Sequence, residues 1–233
     1  MTNSAREEYL MPGRSGLDTA ITLSERYPQF FAGRKFMERE TIKDVLQRFN
    51  EKGIRYCLVG GLALAHHSIP RVTQDVDVLV LPEDLPKVEE LLRGHEVSGT
   101  SVALIFKIGE TRFDIIPANL QSKRQAVINA IDEIFEGETI KVANLRNMIF
   151  LKLWASSERR DLAKRMQDET DVTGLIQLNP EQVSAEDIEY ACRTLLGMAY
   201  TPEEMRKYQA KVEWLNGVLL ELEMADRKYR PPS

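Results

Sequence analysis

The chain has 233 residues, of which 43% are hydrophobic and 29% are charged, and its formal net charge is -5. This composition is typical of a globular protein with a sizeable core and excludes a chain that is disordered throughout. The acidic balance excludes a protein that binds nucleic acid or an anionic membrane through its overall charge, so a contact with nucleic acid would have to be local.

Targeting and redox signals are absent from the sequence. No stretch approaches the roughly twenty apolar residues needed to span a bilayer, and residues 1–16 lack the basic-then-apolar pattern of a signal peptide. We therefore expect a cytoplasmic protein with no membrane partner. Neither Cys57 nor Cys192 has a second ligand at metal-binding spacing, which favours core packing for both.

The predicted elements begin after an N-terminal arm, residues 1–36, which mixes turn residues with one weak apolar patch. An amphipathic helix follows over residues 38–53, because Ile42, Leu46 and Phe49 recur at helical spacing. The next predicted elements are a buried strand, a short helix after a Gly-Gly pair, a second strand and another helix, over residues 54–59, 62–68, 73–81 and 81–94.

An antiparallel hairpin is predicted next, because the apolar runs 102–108 and 112–118 flank the turn residues "GET". Residues 122–137 read as a helix, and residues 139–143 add one more strand. After Asn144, a plausible N-cap, the sequence carries helical periodicity with little strand signal.

These patterns divide the chain into three parts. The prediction is an N-terminal arm over 1–36, a mixed α/β domain over 37–143 and an all-helical C-terminal domain over 144–233. The last helical stretch carries a broad apolar stripe, which is either core or a dimer interface, so oligomerisation through the C-terminal helices is a further expectation. The stripe consists of Trp214, Leu215, Val218, Leu219 and Leu222.

Two aspartates interrupt the second predicted strand. Asp75 and Asp77 alternate with valines and so share one face of the strand, about 7 Å apart along it. Two ionised carboxylates at this distance repel each other, and a compensating cation would hold them together. A hard divalent ion with oxygen ligands fits this requirement.

Asp114 interrupts the strand 112–118 in the same way and would supply a third carboxylate from a neighbouring strand. The alternative is that each aspartate is solvated at a strand end. Upstream, Gly60 and Gly61 end a strand and open a helix, which would bring backbone N–H groups close to a phosphate, although turn geometry explains the pair equally well.

These residues resemble the nucleotidyltransferase superfamily that shares its fold with DNA polymerase beta, and within it the AbiEii-like toxin nucleotidyltransferases. The resemblance rests on "LVGG", "RVTQDVD" and "RFDII". It implies a fold of the α/β (α+β) class, with a small mixed sheet flanked by helices and a helical domain after it. It also implies roles for Arg71 at a carboxylate or phosphate and for Thr73 at the Gly-Gly turn. A surface arginine and an ordinary strand threonine remain the alternatives.

The resemblance extends into the helical half, where "IFLKLWA" contains Lys152 and "RMQDETDV" contains Arg165, Asp168 and Asp171. It implies that Lys152 and Arg165 contact the nucleotide, with Lys164 as a further candidate, and that Asp168 and Asp171 orient Arg165. The alternatives are a snorkelling lysine and a local ladder of ion pairs. Gln167 stands where relatives usually carry lysine, which weakens phosphate binding at that position.

The mechanism implied by the resemblance uses Asp75 and Asp77 to bridge two Mg²⁺ ions, or Mn²⁺, with Asp114 as a further ligand that accepts the proton of an attacking hydroxyl. Gly60 and Gly61 would hold the triphosphate of an NTP such as ATP. The acceptor would be tRNA or another RNA, a protein or a small molecule, and an antitoxin protein would be a partner if the chain is a toxin.

Two other function classes stay open. One is a non-catalytic nucleotide-binding or interaction module that keeps the fold, with which Gln167 is compatible. The other is a glycosyltransferase that uses Asp-x-Asp as its metal site, which ranks last because the chain is short and the Gly-Gly pair has no role there.

Overall fold

The computed structural model describes residues 15–26, 37–68, 70, 72–100 and 103–231. The chain forms two compact units, and it passes from the first to the second between Asn144 and Leu145. The first unit is a mixed sheet with helices, and the second is helical. Within the described ranges, no helix combines the length and the apolar character that crossing a membrane requires.

The first unit contains five α-helices and seven strands within the described residues. The helices are α1 (Gly16–Arg26), α2 (Arg39–Glu51), α3 (Gly60–His67), α4 (Leu85–Leu91) and α5 (Gln121–Ile128). The strands are β1 (Tyr56–Leu58), β2 (Val76–Val80), β3 (Glu96–Gly99), β4 (Leu104–Ile108), β5 (Thr111–Pro117), β6 (Ile131–Phe135) and β7 (Glu138–Val142).

The seven strands form one sheet in the order β3-β4-β5-β2-β1-β7-β6. The pairs β2–β5 and β1–β7 are parallel, and the other pairs are antiparallel, so the sheet is mixed as predicted. The predicted hairpin is confirmed, since β4 and β5 pair antiparallel across the turn that contains Gly109. The neighbouring strands β2 and β5 contain Asp77 and Asp114, and Asp75 directly precedes β2.

The helix predicted over residues 122–137 is wrong in its second half. It ends at Ile128, and Ile131–Phe135 forms the edge strand β6, paired antiparallel with β7. The two strands are joined by Glu136 and Gly137, both with positive φ, at 51° and 81°. A two-residue turn of this kind twists in the direction that a hairpin requires, so turn geometry overrides the local helical pattern.

Two elements of the first unit are absent from the sequence-based prediction. One is β3 at the edge of the sheet, whose four residues are all exposed and give no burial signal. The other is α1, inside the predicted arm, which buries most of its length and packs against α3. The rest of the predicted arm, residues 1–14 and 27–36, lies outside the described residues.

The second unit is helical throughout its described elements, as predicted. Its α-helices are α6 (Leu145–Glu158), α7 (Leu162–Gln177), α8 (Ala185–Gly197) and α9 (Pro202–Glu221). Capping boxes at Ser184 and Thr201 fix the starts of α8 and α9. Most of the apolar stripe of the last predicted helix is buried in the chain itself, with Leu215 and Leu219 fully buried, so the stripe is core.

Candidate active site

Three aspartates converge on one face of the sheet. Asp75 lies directly before β2, Asp77 lies within β2, and Asp114 lies within β5. One carboxylate oxygen from each residue lies within 4.8 Å of the other two. All three side chains are partly exposed, so the cluster faces solvent while its strands are anchored in the core.

The strand register accounts for this convergence. Asp77 and Asp114 are direct partners in the parallel β2–β5 pair. Their neighbours Val76, Val78 and Ile115 are fully buried. Because side chains alternate along a strand, burial of these apolar neighbours turns both aspartates to the opposite face. The period-two pattern therefore predicts the cluster from the sequence.

The Gly-Gly pair makes room for the side chains of Asp77 in β2 and Thr73 in the loop before β2. Gly60 has φ +61°, and a Cβ atom there would lie 2.6 Å from Cγ of Asp77 and overlap its carboxylate. A Cβ atom on Gly61 would lie 2.9 Å from Cβ of Thr73. The backbone N–H of Val59 donates to the carbonyl oxygen of Asp77 at 3.0 Å, which ties the two segments together. Glycine is thus required at position 60 by both backbone conformation and space.

An arginine that the sequence analysis did not single out faces the aspartates. Nε and Nη2 of Arg112 donate to the two carboxylate oxygens of Asp114 at 2.6 and 2.8 Å. These hydrogen bonds raise the pKa of Arg112, and the charges of Asp75 and Asp77 add to the effect. The signal was present in the sequence, because residues two apart on a strand share a face.

The second unit contains a cluster of buried charges of its own residues. Nζ of Lys152 lies 3.0 Å from Asp168 and 2.8 Å from Asp171, whose side chains are 5% and 4% exposed. Nε of Arg159 lies 3.1 Å from Asp168. Nε2 of Gln167, which stands where the resemblance predicts lysine, donates to the buried carboxylate of Asp171 at 3.1 Å.

The remaining predicted nucleotide contacts are Arg165 and Arg71. Arg165 is exposed on α7, and the two aspartates predicted to orient it bind Lys152 and Arg159 instead. Arg71 lies outside the described residues.

Comparison with known proteins supports the assignment of the fold. No protein-family model matches the sequence, and no curated protein matches it. Among solved structures, the chain is similar to an antigenic nucleotidyltransferase-like protein from Paracoccidioides brasiliensis. The TM-score is 0.55 at 15% identity, and the match covers 84% of this chain and 94% of that chain.

The chain has a nucleotidyltransferase fold. This confirms the predicted resemblance at the level of the fold. Two other similar structures are the antibiotic-resistance factor ANT(2'')-Ia in complex with adenylyl-2''-tobramycin and the lincosamide antibiotic adenylyltransferase LnuA bound to lincomycin. Their TM-scores are 0.44 and 0.43, at 15% and 17% identity. The matches cover 76% and 61% of this chain and 97% and 99% of those chains, and they add nothing to the assignment.

On this nucleotidyltransferase fold, the aspartates fit a divalent ion. Carboxylate oxygens are the preferred ligands of Mg²⁺, which binds them at about 2.1 Å, so two ligands on opposite sides of one ion lie about 4.2 Å apart. The observed limit of 4.8 Å among the three oxygens is close to this span. Asp75, Asp77 and Asp114 could therefore hold a divalent ion.

Proposed function

We propose that the protein is a metal-dependent nucleotidyltransferase that moves a nucleoside monophosphate from an NTP to a hydroxyl acceptor. The observation that carries the proposal is the convergence of Asp75, Asp77 and Asp114 within 4.8 Å on one face of the sheet. The nucleotidyltransferase fold supports the reaction class, although fold alone does not determine a reaction.

Within this proposal, Asp75 and Asp77 hold two divalent ions, Mg²⁺ or Mn²⁺, and Asp114 is a further ligand. When bound, the ions neutralise phosphate charge and lower the pKa of the attacking hydroxyl. Asp114 accepts the proton of that hydroxyl as its oxygen forms a bond to the α-phosphorus and the bond to pyrophosphate breaks. Gly60 and Gly61 accommodate Asp77 and Thr73. They also present their backbone N–H groups to the triphosphate.

The basic side chains predicted to contact the nucleotide have different roles in this proposal. Lys152 is held by two buried aspartates, which favours a role in that ion cluster over direct phosphate binding. Arg165 is exposed and keeps its predicted role as a nucleotide contact, as does Arg71.

The reaction is tested by incubating the protein with each α-labelled NTP, Mg²⁺ and either total tRNA or a cell lysate. The wild-type protein is expected to transfer label to one class of acceptor. Asp77→Asn keeps the shape of the side chain but removes its charge, and we expect it to lose more than about a hundredfold in transfer, because even the outer-shell partners of metal ligands are worth 10–100-fold.

Asp132→Asn is the matched control, because Asp132 is an exposed aspartate of the same unit that pairs with Lys141. It should transfer label at the wild-type rate. Transfer by Asp77→Asn close to that rate would contradict the assignment of the metal ligands.

A finer proposal is that the protein is the toxin of a cytoplasmic toxin–antitoxin pair and has an antitoxin protein as its partner. This proposal rests on the AbiEii-like motifs alone. Expression of the wild-type protein should then arrest growth, and Asp77→Asn should not. Growth arrest by both proteins would separate toxicity from nucleotidyl transfer.

A second candidate function is a non-catalytic nucleotide-binding module. The observation that favours it is the pair of hydrogen bonds from Arg112 to both oxygens of Asp114, which occupies the third carboxylate with a cation from the chain itself. Mg²⁺-dependent binding of NTP without transfer to any acceptor class would support this function over the first.

A further inference from the structure

The helix α1 lies close to the candidate metal centre, although no sequence pattern assigned it a function. Its buried residues include Leu17, Ala20, Ile21 and Ser24, and it packs against α3, the helix that begins with the Gly-Gly pair. The apolar part of this contact is ordinary core packing. Ser24 is different, because a hydroxyl that is 1% exposed needs hydrogen-bond partners.

Ser24 connects α1 to the loop before β2, which contains Thr73 and Asp75. Its Oγ donates to the carbonyl oxygen of Ala20 at 2.8 Å and accepts the backbone N–H of Thr73 at 3.1 Å. The Ser24 hydroxyl thus donates a hydrogen bond within its own helix and accepts one from a residue 49 positions away in the sequence. A single side chain therefore links the N-terminal helix to a loop far along the chain.

Thr73 is fixed from three directions. Its backbone N–H is held by Ser24, its side chain lies against Gly61, and its Oγ1 donates to the carbonyl oxygen of Asp75 at 3.4 Å. Thr73 is 9% exposed, so its N–H has limited access to water as a substitute partner. The position of Asp75, two residues later, therefore depends on the contact with α1.

The helix α1 is itself anchored by Arg39, the first residue of α2. The Arg39 guanidinium binds the Asp18 carboxylate and donates to Oγ1 of Thr22 at 2.6 Å, and its backbone N–H donates to Glu25 at 2.8 Å. The same guanidinium binds Glu136 in the β6–β7 turn. These contacts tie α1 to the sheet, so Ser24 is presented to the loop from a fixed support.

We propose that Ser24 is a positioning residue for the metal centre: it holds the loop that carries Asp75, through the backbone of Thr73, in the conformation that brings Asp75 to Asp77 and Asp114. The inference rests on the proposed function for its reference to a metal ion. The link between Ser24 and Thr73 does not depend on that function.

The test compares Ser24→Ala with Ser156→Ala in the full-length protein. Ser156 is a matched control, because it is also a fully buried serine that donates to a carbonyl of its own helix, at 2.8 Å, and it lies in the second unit. Two quantities are measured: the dissociation constant for Mn²⁺ by electron paramagnetic resonance, and the amide hydrogen exchange rate of Thr73 by NMR.

We expect Ser24→Ala to weaken Mn²⁺ binding about tenfold, the size of effect that the loss of one hydrogen bond to a buried N–H can produce. Exchange at Thr73 should accelerate by a similar factor. Ser156→Ala should change neither quantity, although both variants lose some stability. If Ser24 has a purely structural role, Ser24→Ala will lower stability and leave the Mn²⁺ affinity of the folded protein unchanged.

If Ser24→Ala does not fold, Ser24→Cys replaces it, because cysteine keeps the size of the side chain while sulfur is a weak acceptor. Wild-type Mn²⁺ affinity and wild-type exchange at Thr73 in either folded variant would overturn the inference and leave the proposed function intact. A wild-type protein that does not bind Mn²⁺ would overturn the proposed function and the metal-positioning role, and exchange at Thr73 would still decide whether Ser24 holds the loop.

Discussion

Replacement of Gly60 by alanine tests whether the Gly-Gly pair exists to accommodate the metal ligand. The added Cβ would lie 2.6 Å from Cγ of Asp77, whereas two carbon atoms in favourable contact lie about 3.5–4.0 Å apart. The Asp77 side chain must therefore move by about 1 Å. Gly53 is a matched control, because it has φ +60° and a Cβ atom added there would meet nothing within 4 Å.

Both variants place an alanine in a left-handed backbone conformation, and only Gly60→Ala adds a steric clash with a side chain. A left-handed backbone conformation costs an L-residue about 1–2 kcal/mol, and this applies equally to Gly60→Ala and Gly53→Ala. Only Gly60→Ala also forces the Asp77 side chain away from its rotamer, at about 0.5–1.5 kcal/mol. The expected loss in the free energy of unfolding is thus about 1–2 kcal/mol for the control and about 1.5–3.5 kcal/mol at position 60.

The decisive measurement is Mn²⁺ binding at a temperature where both variants are folded. A metal ligand displaced by about 1 Å should weaken binding more than tenfold in Gly60→Ala, and Gly53→Ala should bind as the wild-type protein does. Urea denaturation gives the two free energies of unfolding. Equal Mn²⁺ affinity in Gly60→Ala and wild type would refute the argument that Gly60 positions Asp77.

Two further predictions concern stability. Lys152→Met removes the cation that bridges the buried carboxylates of Asp168 and Asp171, and should lower the free energy of unfolding by about 3 kcal/mol in urea titrations. Lys207→Met, at a surface ion pair, should cost less than about 1 kcal/mol, and equal losses would contradict the buried cluster. Burial alone would raise the pKa of Asp84, but hydrogen bonds from basic side chains outweigh it and lower the pKa to about 2. Stability from Asp84 should therefore be present above about pH 4 and lost as the pH falls towards about 2. Asp84→Asn should flatten that part of the curve of unfolding free energy against pH, and an unchanged slope would contradict this role.

The sequence predicted the parts of the fold in which local pattern and tertiary packing agree. The alternation around Asp75 and Asp77 and the apolar run around Asp114 were sufficient to place three carboxylates on one face, because the period of a strand is fixed. The edge strand β6 was missed, because residues 122–137 carry helical periodicity and only the two positive φ angles at the following turn reverse the chain.

The supporting contacts of the site were harder to predict. Arg112 was recoverable from its spacing to Asp114. The roles of Ser24 and Arg159 depend on contacts with residues that are distant in sequence or in another helix, and no local pattern encodes them. The same holds for Lys152, whose place in an apolar helix is explained only by two buried aspartates on the next helix.

The hydrogen bonds from Arg112 to Asp114 bear on the stability of the central sheet when no metal ion is bound. The pairing of β2 with β5 brings Asp77 opposite Asp114, with Asp75 beside them, and like charges at this spacing repel. The Arg112 guanidinium, which is carried on the same strand as Asp114, offsets part of that repulsion. The sheet therefore depends less on a bound cation for its stability than it would without Arg112.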